Sequence, residues 1–315
     1  MHIISHTKKW ISNIFLLLIS AHTYTEQHTE RLLPKHEPEI AELCYLTGLT
    51  STLNADITPD IVKSASQAWL RSDNKERWES AFYMTFSNAQ RDRVRLLFAS
   101  LGFFVECFAK KRNYTHACVF GATVPAMEIR MGYLIALWNK GIRWKYVVLL
   151  AGDRPLAETV DVMHDGTRLP GSTEAEVMVA LWKHLASQGM IPTELQQLPV
   201  IVISVASKQL PSGGTQRPTT EDTIGKLISD VHNMGNEPLS YLFISSQPYV
   251  HYQSLVIDYV FRNLQADIDV VGGAYELTDK SNIGTLFDTL ARCFYMQNKL
   301  DMATQATVQG NRTKR

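Results

Sequence analysis

KYVVLLAG (145–152) is apolar from Val147 to Ala151 and ends in a glycine ahead of the polar turn Asp153–Arg154. A short run that is apolar at every position, rich in β-branched residues and closed by a turn, is read as a strand buried on both faces. Four more runs share this texture: HACVFGA (116–122), PVIVISVA (199–206), SYLFISS (240–246) and DIDVVGG (267–273). Helical stretches lie between and after them, at 125–140, 173–188, 220–234, 249–264 and 284–297. Strands of this kind alternating with helices predict an α/β domain over 113–299. It is a doubly wound, mostly parallel five-stranded sheet with helices on both faces. Ligands of such sheets sit outside the carboxyl ends of the strands, so residues just after each strand become the candidates.

Upstream, residues 39–112 read as helical. PDIVKSASQAWL places Ile61, Val62, Ala65, Ala68 and Trp69 on one helical face after Pro59. NAQRDRVRLLFASLGFFVECF continues in that style, with Asn88 as the expected N-cap. No catalytic motif falls here, and packing against the main domain accounts for the pattern. Residues 22–38, polar and carrying Pro34 and Pro38, read as a linker, and the polar residues 300–315 as a loose tail. At the N-terminus, Lys8 and Lys9 precede the apolar run Trp10–Ala21, and the polar HTYTEQHTE follows. That order predicts a secretory signal over 1–21, export to the periplasm or cell envelope, and a mature chain starting near residue 22. A buried helix and an uncut membrane anchor are the alternatives. The run is shorter than the ~20 residues of a spanning helix.

Lys and Arg number 31, as do Asp and Glu. A neutral chain lacks the basic balance of a general nucleic-acid binder. The cysteines, Cys44, Cys107, Cys118 and Cys293, form no C-x-x-C pair and no zinc spacing with histidine, so no metal site is expected. Cys118, inside an apolar run, reads as core.

The strand ends supply the site. Gly121 permits a sharp turn or a close ligand approach, though neither G-x-G-x-x-G nor a P-loop follows it. Arg130 reads equally as a crevice residue or a solvated charge. After the second strand come Gly152, Asp153 and Arg154. The arginine fork suits a phosphate or carboxylate, the alternative being an Asp–Arg pair that holds the loop. Thr173 and Glu176 have capping-box spacing, which leaves Glu174 as a general acid or base, or as a first-turn acid complementing the helix dipole. Thr219 and Asp222 repeat that spacing. Arg217 and Thr220 are not needed for the cap, and with Thr219 at a helix N-terminus they predict an anion site. Ser245, Ser246 and Gln247 fall at the tip of the fourth strand as ligand hydrogen-bonding groups, because no nucleophile elbow surrounds Ser246. His251 is the nearest base, or a packing histidine. Asp153 and Glu174 are therefore the candidate proton-transfer groups. Gly121, Gly152, Arg154, Arg217, Thr219, Thr220, Ser245, Ser246 and Gln247 are the candidate ligand-binding residues.

The order GYLIALWNKG, LLAGDRP, STEAEVM, RPTTEDT and ISSQPYVHYQ resembles the SanA/YdcF/ElyC-like family of bacterial envelope proteins over roughly residues 115–275. Ala151-Gly152-Asp153 stands where that family has S-G-G, and Ser172 to Ala175 where it has S-E-A. TTEDT replaces N-T-x-[ED]-N, and Tyr249 stands where a histidine is common. The resemblance implies a Rossmann-like domain, a role in envelope biogenesis and S-adenosylmethionine as one ligand to consider. Three functions follow as expectations. One is an enzyme acting on an anionic, nucleotide-like or phosphorylated small molecule or lipid-linked precursor. A second is a non-catalytic module binding S-adenosylmethionine or a nucleotide. The third is an envelope scaffold, with membrane association through the N-terminus.

Overall fold

The computed structural model describes residues 32–71, 86–211, 213, 215–231, 239–275 and 283–312. The signal or anchor expected over 1–21, and the first part of the linker, lie outside these residues.

The chain enters as two short helices, α1 (Leu32–Lys35) and α2 (Glu37–Leu46). Residues 32–38, expected to be linker, are therefore largely helical. Pro38 falls in the first turn of α2, where a missing N–H breaks no helical bond. Helix α3 (Pro59–Trp69) begins with Pro59 and is capped by Thr58, whose Oγ1 accepts the Ile61 N–H. Helix α4 (Asn88–Ser100) is capped by Ser87 rather than Asn88. The reason is the Ser87–Gln90 spacing: Gln90 N–H donates to Ser87 Oγ at 3.3 Å and Ser87 N–H to Gln90 Oε1 at 2.9 Å.

The α/β region follows as β1 (Asn113–Phe120), α5 (Val124–Asn139), β2 (Arg143–Gly152), α6 (Glu174–Ser187), the short α7 (Thr193–Gln196) and β3 (Val200–Val205). A two-stranded antiparallel ribbon, β4 (Lys208–Gln209) and β5 (Thr215–Gln216), leads into α8 (Thr220–Val231). Then come β6 (Ser240–Ile244), α9 (Val250–Phe261), β7 (Asp267–Val271) and α10 (Ile283–Arg312). The main sheet has five parallel strands in the order β3-β2-β1-β6-β7. Each apolar run of the sequence is one of these strands, and the fold is the Rossmann-like α/β architecture expected. The order reverses between β1 and β6, and this switch point opens a crevice at the carboxyl ends.

Both faces of the sheet are covered, as strands without a polar face require. On one face α5 and α6 set Met127, Met131, Leu134, Val177 and Leu181 against Val119, Val147 and Leu149. On the other, Ile224 and Leu227 of α8 and Val256 and Ile257 of α9 pack against Cys118, Phe120, Val148 and Phe243. The upstream helices and α10 join this second core through Ile40, Leu43, Trp69, Phe98, Phe287 and Phe294. Helix α10 also corrects the expected loose tail, because it runs unbroken to Arg312. No proline interrupts Leu300–Arg312 and good helix formers recur. Lys299 ties the helix to Glu221 of α8 at 2.6 Å. All four cysteines are free and buried, Cys118 in the core as read. Among the described residues no helix is long and apolar enough to cross a membrane, and no cluster of metal-ligating side chains occurs.

Candidate functional site

A cleft of about 430 Å³ opens at the carboxyl ends of β1 and β2, within the usual range for small-molecule sites. Its floor is Gly121, Leu150 and Gly152; its walls are the N-terminal turns of α5, α6, α8 and α9. Two glycines make the crowding possible. A Cβ on Gly121 would overlap Glu174 Oε1 and lie 2.9 Å from the Leu150 carbonyl oxygen. A Cβ on Gly152 would lie 2.7 Å from Pro218 Cγ, so glycine there lets the turn before α8 close over the strand end.

Arg154 and Glu174 form the polar centre. The Arg154 fork is bidentate to Asp161, with Nη1 at 2.8 Å from Oδ2 and Nη2 at 2.9 Å from Oδ1. Its Nε donates to Glu174 Oε2 at 3.1 Å, and Nη2 also reaches the Ala122 carbonyl. The pairing role thus describes Arg154, with Asp161 as partner in place of Asp153. Burial pushes the Asp161 carboxyl up. The Arg154 hydrogen bond, the Ala157 N–H, the Arg154 charge and the Val124 N–H outweigh burial and hold it below its ordinary value. Glu174 differs. Burial raises it above the ordinary carboxyl value, although Arg154, the Gly152 N–H and the charge of Arg130 pull it down. A buried carboxyl with a raised pKa beside a cleft can both accept and return a proton.

Arg130 is a crevice residue, 2% exposed. It lines the cleft while its Nη1 donates to the Phe120 and Gly121 carbonyls and its Nε to Ser246 Oγ. It therefore fixes the β1 end to the β6 end across the switch point.

The turn before α8 supplies the opposite wall through Arg217, Pro218, Thr219 and Thr220. The Thr219–Asp222 cap is reciprocal: Asp222 N–H donates to Thr219 Oγ1, and Thr219 N–H to Asp222 Oδ2 at 2.8 Å. Lys208 adds an ion pair to Asp222 at 2.6 Å. At α6 the box is displaced. Thr173 Oγ1 accepts the Glu176 N–H, but the Glu176 carboxylate reaches back to Ser172 N–H and Oγ.

Several candidates lie elsewhere. Asp153 is outside the cleft lining; its N–H donates to the Val205 carbonyl, and its own carbonyl accepts from Ser207 Oγ. Ser245 is fully buried and donates to the Ser246 carbonyl, while Ser246 accepts from Arg130. Gln247 turns away, its Nε2 donating to the Gly102 and Val105 carbonyls, so it clamps the upstream helices to the sheet. His251 lies beside Phe103, in a separate groove between α3 and α10. The residues of this tip that line the cleft follow Gln247, as Tyr249, Tyr252 and Gln253. Sequence reading missed Asp161, which sits in irregular chain with no motif around it. It also missed Arg71, which lines the cleft from upstream of the strand–helix alternation, and Thr285, which lines it from the first turn of α10.

Among the described residues that line the cleft, four are arginines, Arg71, Arg130, Arg154 and Arg217, and one, Glu174, is a carboxylate. No family model matches the chain, and no curated protein matches it.

Proposed function

We propose that this chain binds a phosphorylated or nucleotide-like small anion in the cleft at the carboxyl ends of β1 and β2. The observation that carries this reading is the four-to-one excess of arginines over carboxylates in a cleft at the sheet's switch point. Arg217 and the first turn of α8 take the anion, since the N–H groups of a helix start carry partial positive charge. Arg154 and Arg130 add their positive charge to the same cleft. Glu174 is the carboxyl placed to trade a proton with bound ligand, and retention of binding with loss of turnover in Glu174→Gln distinguishes an enzyme from a binding module.

The reading extends to a YdcF/SanA-like protein of the cell envelope, exported behind residues 1–21. It is supported by four of the quoted motifs, LLAGDRP at the β2 end and STEAEVM, RPTTEDT and ISSQPYVHYQ at the starts of α6, α8 and α9. Mass spectrometry of the protein from its host tests the export: a mature N-terminus near residue 22 is expected, and an intact Met1 on cytoplasmic protein defeats it.

The binding test separates two jobs in one turn. Arg217→Ala should weaken inorganic phosphate by roughly ten- to hundredfold, the loss of a charge-assisted contact, and leave the melt nearly unchanged. Asp222→Ala removes the reciprocal cap and should cost about 1 kcal/mol of stability while phosphate still binds. Thermal melts and phosphate titrations of both variants decide it. An Arg217→Ala protein that melts far below Asp222→Ala makes the arginine structural and removes the anion site.

A further inference from the structure

The two edges of the main sheet are built differently. At the β7 edge, Asp267 and Asp269 put charge into the strand, with Lys111 on Asp267 at 2.6 Å and Lys110 on Asp269 at 4.0 Å. The chain before β1 also covers that edge, through the antiparallel bridge of Cys107 with Gly272 and the Lys110 N–H donated to Asp269 Oδ2 at 2.8 Å. Charges within the strand, lysines and a covering segment are the usual guards of an exposed edge. The β3 edge has none of these. Val200–Val205, VIVISV, carries no charge and no proline. The Pro199 carbonyl accepts the Val147 N–H and the Val205 carbonyl the Asp153 N–H, so Ile201 and Ile203, between them, also turn their main-chain groups to β2. Those of Val200, Val202 and Ser204 point outward. Among the described residues no hydrogen bond reaches them, and Val202 is 44% exposed. An uncharged, β-branched edge with open N–H and C=O groups is a template for another strand.

We propose that β3 pairs antiparallel with β3 of a second copy of this chain, about a two-fold axis at Val202, joining two five-stranded sheets into one continuous sheet. The strand is complementary to itself in this register. Val202 falls opposite Val202 of the second copy, and Val200 opposite Ser204 of the second copy. Each such pair exchanges two backbone hydrogen bonds, and no like charges meet. The same axis sets the chain entering one β3 beside the chain leaving the other. Those segments hold the exposed Met190 and Leu210, which add apolar surface to the pairing. A charged peptide finds no counter-charge along this edge, which favours a second copy over a foreign strand. The inference stands independently of what the cleft binds.

Light scattering on a sizing column, over a protein dilution series, compares the purified chain with Val202→Lys. Wild type should run as a dimer. Val202→Lys sets two ammonium groups against each other across the axis and should weaken the dimer about tenfold or more, with far-UV dichroism unchanged. Cysteine crosslinking then reads the register. Residues paired at a hydrogen-bonded antiparallel site have Cα atoms about 5.5 Å apart, within disulfide reach. Cys44, Cys107, Cys118 and Cys293 are buried, so a thiol added at the edge dominates the reaction. Mild oxidation should link Val202→Cys to its mate. It should leave Val200→Cys, roughly 14 Å from its own mate, largely unlinked. A wild-type chain that is monomeric throughout the dilution series overturns the inference. So does a dimer that Val202→Lys does not weaken, or one in which Val200→Cys links as readily as Val202→Cys.

Discussion

Arg154→Met is expected to destabilise the fold by about 3–5 kcal/mol at neutral pH, because it strands two carboxylates that the arginine now pairs. The Asp161 side chain is fully buried and that of Glu174 nearly so, while Arg154 itself is 14% exposed. After the substitution Asp161 retains the N–H groups of Ala157 and Val124, and Glu174 that of Gly152. Backbone dipoles replace a full positive charge, and methionine fills much of the arginine's volume. The cost is therefore electrostatic rather than a void.

The pH dependence gives this prediction its signature. In the wild-type protein Asp161 titrates below its ordinary value, so its contribution is present above the unfolded carboxyl pKa and is lost as pH falls through the folded one. Glu174 titrates above its ordinary value, so the folded state binds its proton more readily than the unfolded state does, and stability from this group grows as pH falls. Removing Arg154 lifts the Asp161 carboxyl from its lowered position and raises that of Glu174 further. The deficit of Arg154→Met should thus be largest near neutrality and shrink toward acid as Asp161 and Glu174 take up protons. Denaturant melts across pH 4–8 measure it. A deficit that stays constant across that range means lost packing, and contradicts the ion-pair account.

The parts of this molecule legible in its sequence are those set by local chain chemistry. KYVVLLAG is a strand because the centre of a sheet buried on both faces needs an apolar run, and that need is written residue by residue; the edge strands β3 and β7 are less fully buried, and β7 carries Asp267 and Asp269. The Thr219–Asp222 cap is equally local. Arg154 was legible as a strand-end residue but not as a paired one, because its partner Asp161 lies in irregular chain whose course no period reports. Gln247, at a strand tip, reads from position alone as a ligand-binding residue. Position alone does not reveal that the turn sends its amide toward Gly102 and Val105. Gln253 closes the quoted ISSQPYVHYQ, but its place in the cleft is visible only once the rest of α9 is in position.

The upstream helices pack against the main domain, and their aromatic contacts make a second large expectation. Phe287→Ala should cost about 3–5 kcal/mol. Phe287 has no solvent exposure and meets Trp69 of α3 edge-on at 5.0 Å, Phe98 of α4 at 5.4 Å and Phe86, just before α4, at 6.3 Å. Truncation empties the point where α3, α4 and α10 converge, and close-packed neighbours relax only in part around such a void. Edge-to-face aromatic pairs add to the area lost. The effect should carry to the cleft. Asp288, the next residue, accepts the Arg71 N–H at 3.2 Å, and Arg71 and Thr285 both line the cleft. Loosening α3 against α10 therefore frees one of the four arginines from its place, and phosphate affinity measured well below the melt should fall with stability. Phe287→Leu, which keeps most of the volume, should recover the larger part of both. Separate behaviour, with a lower melt but unchanged phosphate binding, would show that the helical layer braces the fold without shaping the cleft.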